Sequence, residues 1–257
     1  MRELERHSSP SADAPSTPLR LAIVGDGRLG RALTDAFRAS GAEVTGPLPR
    51  GAAPTGVDVV LVCVPDAEIA SAAALIHPGV PVGHCSGATG LDVLAGHQAF
   101  SLHPLMTVTH DAAGVRFDGA GAAVAGSTAE TRALAHALAR RLGMRPIEMD
   151  PTDRTAYHVA ASIASNFLVT LEAAAERLAL TAGMAREDLL PLVRATVENW
   201  ARLGPEQALT GPVARGDEET VARQRDAVSD RAPDLLPLFD ALVDATRALV
   251  GAAAVTR

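Results

Sequence analysis

The chain has 257 residues and a formal net charge of -7, room for one large domain or two modest ones. That charge argues against a nucleic-acid partner or an anionic membrane surface. Aromatics are only 3% of a composition that is 47% hydrophobic, so the core has to be built from Ala, Val, Leu and Ile.

Residues 1–17 are polar, rich in Ser, Pro and Ala, and carry no hydrophobic leader; they read as a disordered tail. The fold starts at Leu19. An apolar β-type run, Leu21-Ala22-Ile23-Val24, leads into Gly25-Asp26-Gly27-Arg28-Leu29-Gly30, and Leu29, Ala32, Leu33, Ala36 and Phe37 continue at helical spacing. Strand, glycine turn and helix are the setting in which GxGxxG binds a dinucleotide. Gly25 lets the chain turn as it leaves the strand, Gly27 lets a pyrophosphate reach the backbone, and Gly30 lets the helix pack close to the sheet. The free N–H groups of the first helical turn then face the phosphates.

A short strand, Glu43-Val44-Thr45, follows and ends in a Gly46–Arg50 loop. The acidic residue that would hold the ribose hydroxyls of NAD belongs about 20 residues past the first glycine. No carboxylate stands there, and Arg50 is close by, so NADP is expected over NAD, which stays open. Val57–Val64 is a nearly continuous apolar run, as a central parallel strand should be. Val64, Pro65 and Asp66 lie at its carboxyl end, where such sheets bind ligands; Asp66 equally suits the cap of a helix running to Ile76. The next strand, Val80–His84, leads into Cys85-Ser86-Gly87-Ala88, a short helix covers Leu91–Leu94, and Ala99–Pro104 carries His103. Ser86 and Gly87 are candidates for the cofactor and substrate rim. Gly121–Gly126, a helix over Thr128–Leu142, and Arg145–Glu148 complete an alternating pattern that predicts a doubly wound parallel sheet over residues 18–150.

Past Pro151 no β-alternation remains. Helices are expected over Thr152–Thr181, Arg186–Arg202, Glu218–Asp230 and Asp234–Ala252, making residues 151–257 an all-helical domain for substrate binding and dimerisation. On the first of these, His158, Ser162 and Asn166 recur every four residues, within about 80° of arc at ~100° per residue. A polar row on an otherwise apolar helix needs partners, from a neighbouring helix, a second copy or a substrate. Thr210–Asp217 reads as an ordered loop in which Arg215 can hold a carboxylate through two parallel hydrogen bonds, or can pair with Asp217 instead.

All 23 basic residues are arginine, so no lysine acid or Schiff base operates here. Two cysteines without a leader predict reduced thiols in the cytoplasm. No apolar run approaches the roughly 18 residues of a membrane span. His97, His103 and His110 lack ligand spacing, so no metal is expected.

A Rossmann half followed by a helical domain that opens on a long helix resembles the 6-phosphogluconate dehydrogenase-like superfamily, which includes ketopantoate reductases and pyrroline-5-carboxylate reductases. Many members carry a catalytic lysine four residues before an asparagine on that helix. Asn166 matches the asparagine, but Ser162 stands at the lysine position. His84–Ala88, Ser101–Leu105, Ala164–Asn166 and Leu209–Asp217 together are similar to bacterial Rossmann-like proteins whose helical half is a domain of unknown function, often regarded as ketopantoate reductase-like. The resemblance implies an NADP-dependent oxidoreductase that transfers a hydride to a small carbonyl, such as the 2-oxo acid 2-dehydropantoate. Its alternatives are an imine reductase of the pyrroline-5-carboxylate reductase type and a dinucleotide-binding protein without turnover. The proton is expected from His158 or His103, because histidine titrates near neutrality. Ser162, Asn166 and Arg215 are expected on the substrate, and a homodimer through the helical domain.

Overall fold

A computed structural model describes residues 18–109 and 114–255; the expected tail at 1–17 lies outside them. Seven strands form one sheet in the order β2-β1-β3-β4-β5-β6-β7. They are β1 (Arg20–Val24), β2 (Glu43–Leu48), β3 (Val59–Val62), β4 (Val82–His84), β5 (Ala99–Leu105), β6 (Gly121–Gly126) and β7 (Arg145–Glu148). The first five are mutually parallel. β6 runs antiparallel to β5, and β7 lies parallel to β6, so the expected all-parallel sheet is corrected at its far edge. A parallel partner for β5 would need a crossover element, and the sequence from 106 to 120 has no helical pattern to supply one.

Alternation within the strands divides the core between the two faces of the sheet. Leu21, Ile23, Val59 and Leu61 face one way and pack with Leu33 and Phe37 of α1 (Arg28–Ala39). Ala22, Val24, Val60 and Val62 face the other way and pack with Ile69 and Ala72 of α2 (Ile69–Ala73). With both faces covered, every residue of β3 is fully buried, as its unbroken apolar run requires. α3 (Ala129–Arg141) opens on a capping box in which the Thr128 hydroxyl accepts from the Thr131 amide.

Three local readings change. β2 continues through Gly46 and Pro47, and its register against β1 shifts between Ala22 and Val24. The helix expected from Asp66 to Ile76 is one 3-10 turn over Asp66–Glu68 followed by the five residues of α2. Thr210–Asp217 contains a short helix, described below.

The chain divides into two compact units, with the boundary between Ser162 and Ile163. That boundary lies inside the first long helical stretch. That stretch comprises α4 (Arg154–Ser162), a π-helical segment Ile163–Phe167, and α5 (Leu168–Thr181). The π segment corrects the polar row. Its i→i+5 pattern changes the angular step, so Asn166, still four residues on, turns off the α-helical line through His158 and Ser162. A second correction concerns hydropathy: residues Pro151–Thr181 reach a mean hydropathy of 1.2 over 18 residues. No run of consecutive apolar residues does this. Closely spaced Ala, Val, Leu and Ile with few charges do.

The second unit continues with α6 (Arg186–Leu203), α7 (Pro205–Ala208), α8 (Pro212–Arg215), α9 (Glu218–Arg231) and α10 (Leu236–Val255). Gly211 and Gly216 take φ of 99° and 69° on either side of α8, conformations that glycine reaches at little cost. Asp217 caps α9 by accepting from the Thr220 amide at 3.1 Å. Bidentate pairs Arg177–Asp234 and Arg225–Asp240 fasten α5 to the turn before α10, and α9 to α10. Few side chains of this unit are buried; Val221, Val228 and Val243 are the main ones.

Candidate functional site

The three glycines of the first turn have three different surroundings. Gly25 sits at φ 119°, and a Cβ there would stand 2.2 Å from the Cys63 carbonyl oxygen. At Gly30 a Cβ would stand 1.9 Å from the Gly25 carbonyl oxygen. Both positions need hydrogen in place of a side chain for the turn to close. Gly27 differs: nothing lies within 4 Å of where its Cβ would be. No side chain caps the helix that begins there, and its first turn holds no acidic residue. Unpaired amides, the positive end of the helix dipole and open space above them together make an anion seat.

That seat opens on a cavity of about 380 Å³. Gly27, Arg28, Leu29, Cys63, Val64 and Ser86 line it, with Asp66, Cys85 and Val108. Asp26 is exposed on the turn. Pro65 lies at the head of the 3-10 turn, next to the cavity wall. Arg50 points to the surface and pairs with Glu68.

The loop after β4 is held by its own polar groups. His84 is fully buried; its Nδ1 accepts from the Ser86 amide at 3.2 Å, which leaves Nε2 to donate to the Gly90 carbonyl at 3.1 Å. Burial lowers the His84 pKa, in keeping with this neutral tautomer. The Ser86 hydroxyl donates to Asp66 at 2.7 Å and accepts from the amides of Ala88 and Thr89. Thr89 also donates to Asp66, at 3.0 Å. The hydroxyl of Ser86 is thus saturated, and Asp66 anchors this loop; it does not cap the following helix through its side chain.

Next to that loop stands a pair that the spacing of polar residues did not predict. His103 Nδ1 and the Tyr157 hydroxyl are 2.6 Å apart, with the rings edge to face. Burial, reinforced by the nearby His158 and Arg154, lowers the His103 pKa to about 4. The imidazole is neutral at pH 7, and the expectation that it titrates near neutrality is corrected. Burial raises Tyr157 to about 12, so the phenol keeps its proton. Gly87 lies between two imidazoles: a Cβ there would stand 3.0 Å from the His103 ring and 3.1 Å from that of His158. His158 itself is exposed.

Arg154 is the second residue that sequence reasoning missed. It is only 4% exposed. It donates to the Ser86 carbonyl at 3.3 Å and to the Ser101 hydroxyl, and burial lowers its pKa. It makes no ion pair among the described residues. A signal existed, since Arg154 lies four residues before His158 and extends the polar row backwards by one turn. Tyr157 had a different signal: it is the only tyrosine in the chain. Of the remaining predicted residues, Ser162 is half-buried at the end of α4. Asn166 is exposed in the π segment, and Arg215 is exposed at the end of α8; both belong to the second unit.

This architecture is the one the resemblance implied: a Rossmann sheet with a glycine turn, followed by a helical domain. Residues 121–246 match the family described as a domain of unknown function (DUF2520). The match begins at β6, so it takes in the end of the sheet as well as the helices. No curated protein matches the sequence. Among solved structures, the fold is similar to that of a Bacteroides fragilis protein provisionally described as an NADP oxidoreductase. That pair shares 21% identity with a TM-score of 0.77, over 90% of this chain and 98% of the other. A reductive aminase from Aspergillus terreus, solved with NADPH and ethyl-5-oxohexanoate, shares 17% identity at a TM-score of 0.68, over 94% of this chain and 100% of the other. The 1-pyrroline-5-carboxylate reductase of Streptococcus pyogenes shares 14% at 0.61, over 91% and 100%. At these identities the likeness establishes the fold. The chain has a Rossmann-type sheet followed by a helical unit, the fold shared by these structures.

Proposed function

We propose that the protein is an NADPH-dependent reductase of small C=N or C=O compounds, with an imine as first substrate class and a 2-oxo acid such as 2-dehydropantoate second. The observation that carries this reading is the open space over Gly27, between an uncapped helix start and a 380 Å³ cavity. The amides of the first turn of α1 would hold the pyrophosphate, with Arg28 adding positive charge. Arg50 would meet the 2′-phosphate, because its exposed pair with Glu68 is weak enough to exchange. The bound nicotinamide would supply the hydride, leaving the protein to orient the substrate and deliver a proton.

For that proton the Tyr157 phenol is the donor of choice, with neutral His103 at 2.6 Å as its partner. His158 lines the other side of Gly87 and is the second candidate. Ser162, Asn166 and Arg215 are retained as substrate contacts, on the resemblance and on Arg215's fit to a carboxylate. A weak phenolic acid and the absence of lysine favour an imine over a ketone, because an imine nitrogen is basic enough to take its proton from a weak acid such as this phenol. The expected order of the two substrate classes is therefore reversed. The names of the Aspergillus and Streptococcus proteins, a reductive aminase and a pyrroline carboxylate reductase, support the same order.

We also infer a homodimer through the helical unit. Ile163, Phe167, Val169, Leu180, Leu192 and Trp200 are all more than half exposed, and α6 buries none of its 18 residues. Surfaces of this kind call for a partner, and a second copy is the commonest one. A cytoplasmic setting fits Cys63 and Cys85, which are both free thiols.

Fluorescence titration with NADPH and NADH, followed by turnover on cyclic imines and 2-oxo acids, tests the reading. Micromolar NADPH binding with imine reduction is the expected result. Binding without turnover on either class would leave the non-catalytic alternative, and failure to bind either nucleotide would overturn the reading. Light scattering on the eluted protein tests the dimer, which a monomeric mass would remove.

A further inference from the structure

Cys63 and Cys85 take no part in the proposed reaction, and their placement is unusual. Cys63 follows the last residue of β3 and Cys85 the last residue of β4. Val62 and His84 are register partners across those parallel strands, so the two cysteines fall on the next step of the same register. Their sulfurs are 3.6 Å apart. Neighbouring strands lie about 4.8 Å apart, within the roughly 4.4–6.8 Å between Cα atoms that a disulfide bridges. Side-chain rotation can therefore bring the sulfurs together without moving the sheet. Both residues line the cavity beside Gly27, so a small oxidant entering that cavity meets them.

We propose that Cys63 and Cys85 are an oxidation site: a dithiol that peroxide converts to an intramolecular disulfide in the wall of the nucleotide cavity. Cys63 reacts first, because it is the more exposed of the two. Its thiolate attacks one peroxide oxygen; an S–O bond forms, the O–O bond breaks, and the leaving hydroxide takes up a proton as water. The Cys85 sulfur then attacks the Cys63 sulfur. The S–S bond forms, the S–O bond breaks, and the Cys85 proton leaves with the hydroxyl as a second water. The two thiols lose two electrons and two protons, and one peroxide becomes two waters. Burial and the contact with Cys63 push the Cys85 thiol up, which keeps Cys85 unreactive until its neighbour has been oxidised. A dinucleotide seated over Gly27 would cover both sulfurs and slow the reaction. That last clause rests on the proposed nucleotide seat; the dithiol chemistry does not.

The test is intact-mass spectrometry of the full chain after hydrogen peroxide, with peptide mapping and with or without saturating NADPH. The expected result is loss of the mass of two hydrogen atoms, a linked peptide pair containing Cys63 and Cys85, and reversal by dithiothreitol. Cys63→Ser and Cys85→Ser should each abolish the linked pair. Accumulation of sulfinic acid at Cys63 with Cys85 still alkylatable, or full alkylation of both after peroxide, overturns the proposal. These readouts on the natural chain decide it even if a serine variant fails to fold. A disulfide that forms at the same rate with NADPH present upholds the dithiol and counts against the nucleotide seat.

Discussion

β3 and α6 are opposites. Every residue of β3 is fully buried, whereas none of the 18 residues of α6 is. The sheet unit closes its own core on both faces, and both nitrogens of the buried His84 ring are hydrogen-bonded. The helical unit is fastened largely by exposed ion pairs such as Arg177–Asp234 and Arg225–Asp240, which contribute little in water. Several of its large apolar side chains, Phe167, Leu192 and Trp200 among them, are more than half exposed. The first unit therefore closes a core of its own and holds the proposed nucleotide seat and proton donor. The second calls for a cover, for which we propose a second copy.

Mutations at the site sharpen this contrast. The largest effect is expected from Tyr157→Phe, which should lower imine turnover by about 10²–10⁴-fold with NADPH affinity unchanged; an unaltered kcat would remove the phenol from the mechanism. Gly25→Val should cost about 3 kcal/mol of stability in a urea melt, because it forces a β-branched residue to φ 119° against the Cys63 carbonyl. A variant as stable as the parent would show that the turn is not closed as described.

Acid comes next. The His103 pKa falls from 6.5 to about 4 on folding, so the unfolded chain binds the extra proton between those values. Stability is then full above about pH 6.5 and falls as pH drops towards about 4, by up to about 3 kcal/mol. His84, also lowered, adds in the same direction. His103→Asn should flatten its share of that slope, and an unchanged slope would contradict the burial of this ring. Arg50→Ala is the smallest of these changes. It should reduce the preference for NADPH over NADH by about tenfold, the worth of one charge-assisted contact, and leave the melt unmoved because the pair with Glu68 is exposed.

Much of the first unit was legible in the sequence. An apolar run ending in glycines has few other uses, and the different roles of Gly25, Gly27 and Gly30 were readable one by one. The direction of β6 was less so, since a six-residue strand carries no mark of its polarity; only the missing crossover helix hinted at it. At the site, row spacing drew attention to His158 and away from Tyr157, one residue earlier. Tyr157 meets His103 across 54 residues of chain, and no local pattern reports such a contact. The π segment was hidden for another reason: nothing in Ile163–Phe167 distinguishes an i→i+5 turn from an ordinary one. Ser86 and Asp66 were both noticed, but their bond to each other was not, because the two ends of adjacent strands meet only in the folded sheet.

The measurement that tests the central claim most directly is NADPH binding by calorimetry to the natural chain and to Gly27→Val, alongside a thermal melt of each. Open space at Gly27 predicts a melt changed by no more than about 0.5 kcal/mol and an affinity lowered at least ~100-fold, since the new methyl groups occupy the pyrophosphate's approach. A variant that binds NADPH as tightly as its parent, or a parent that does not bind it at all, would contradict the account.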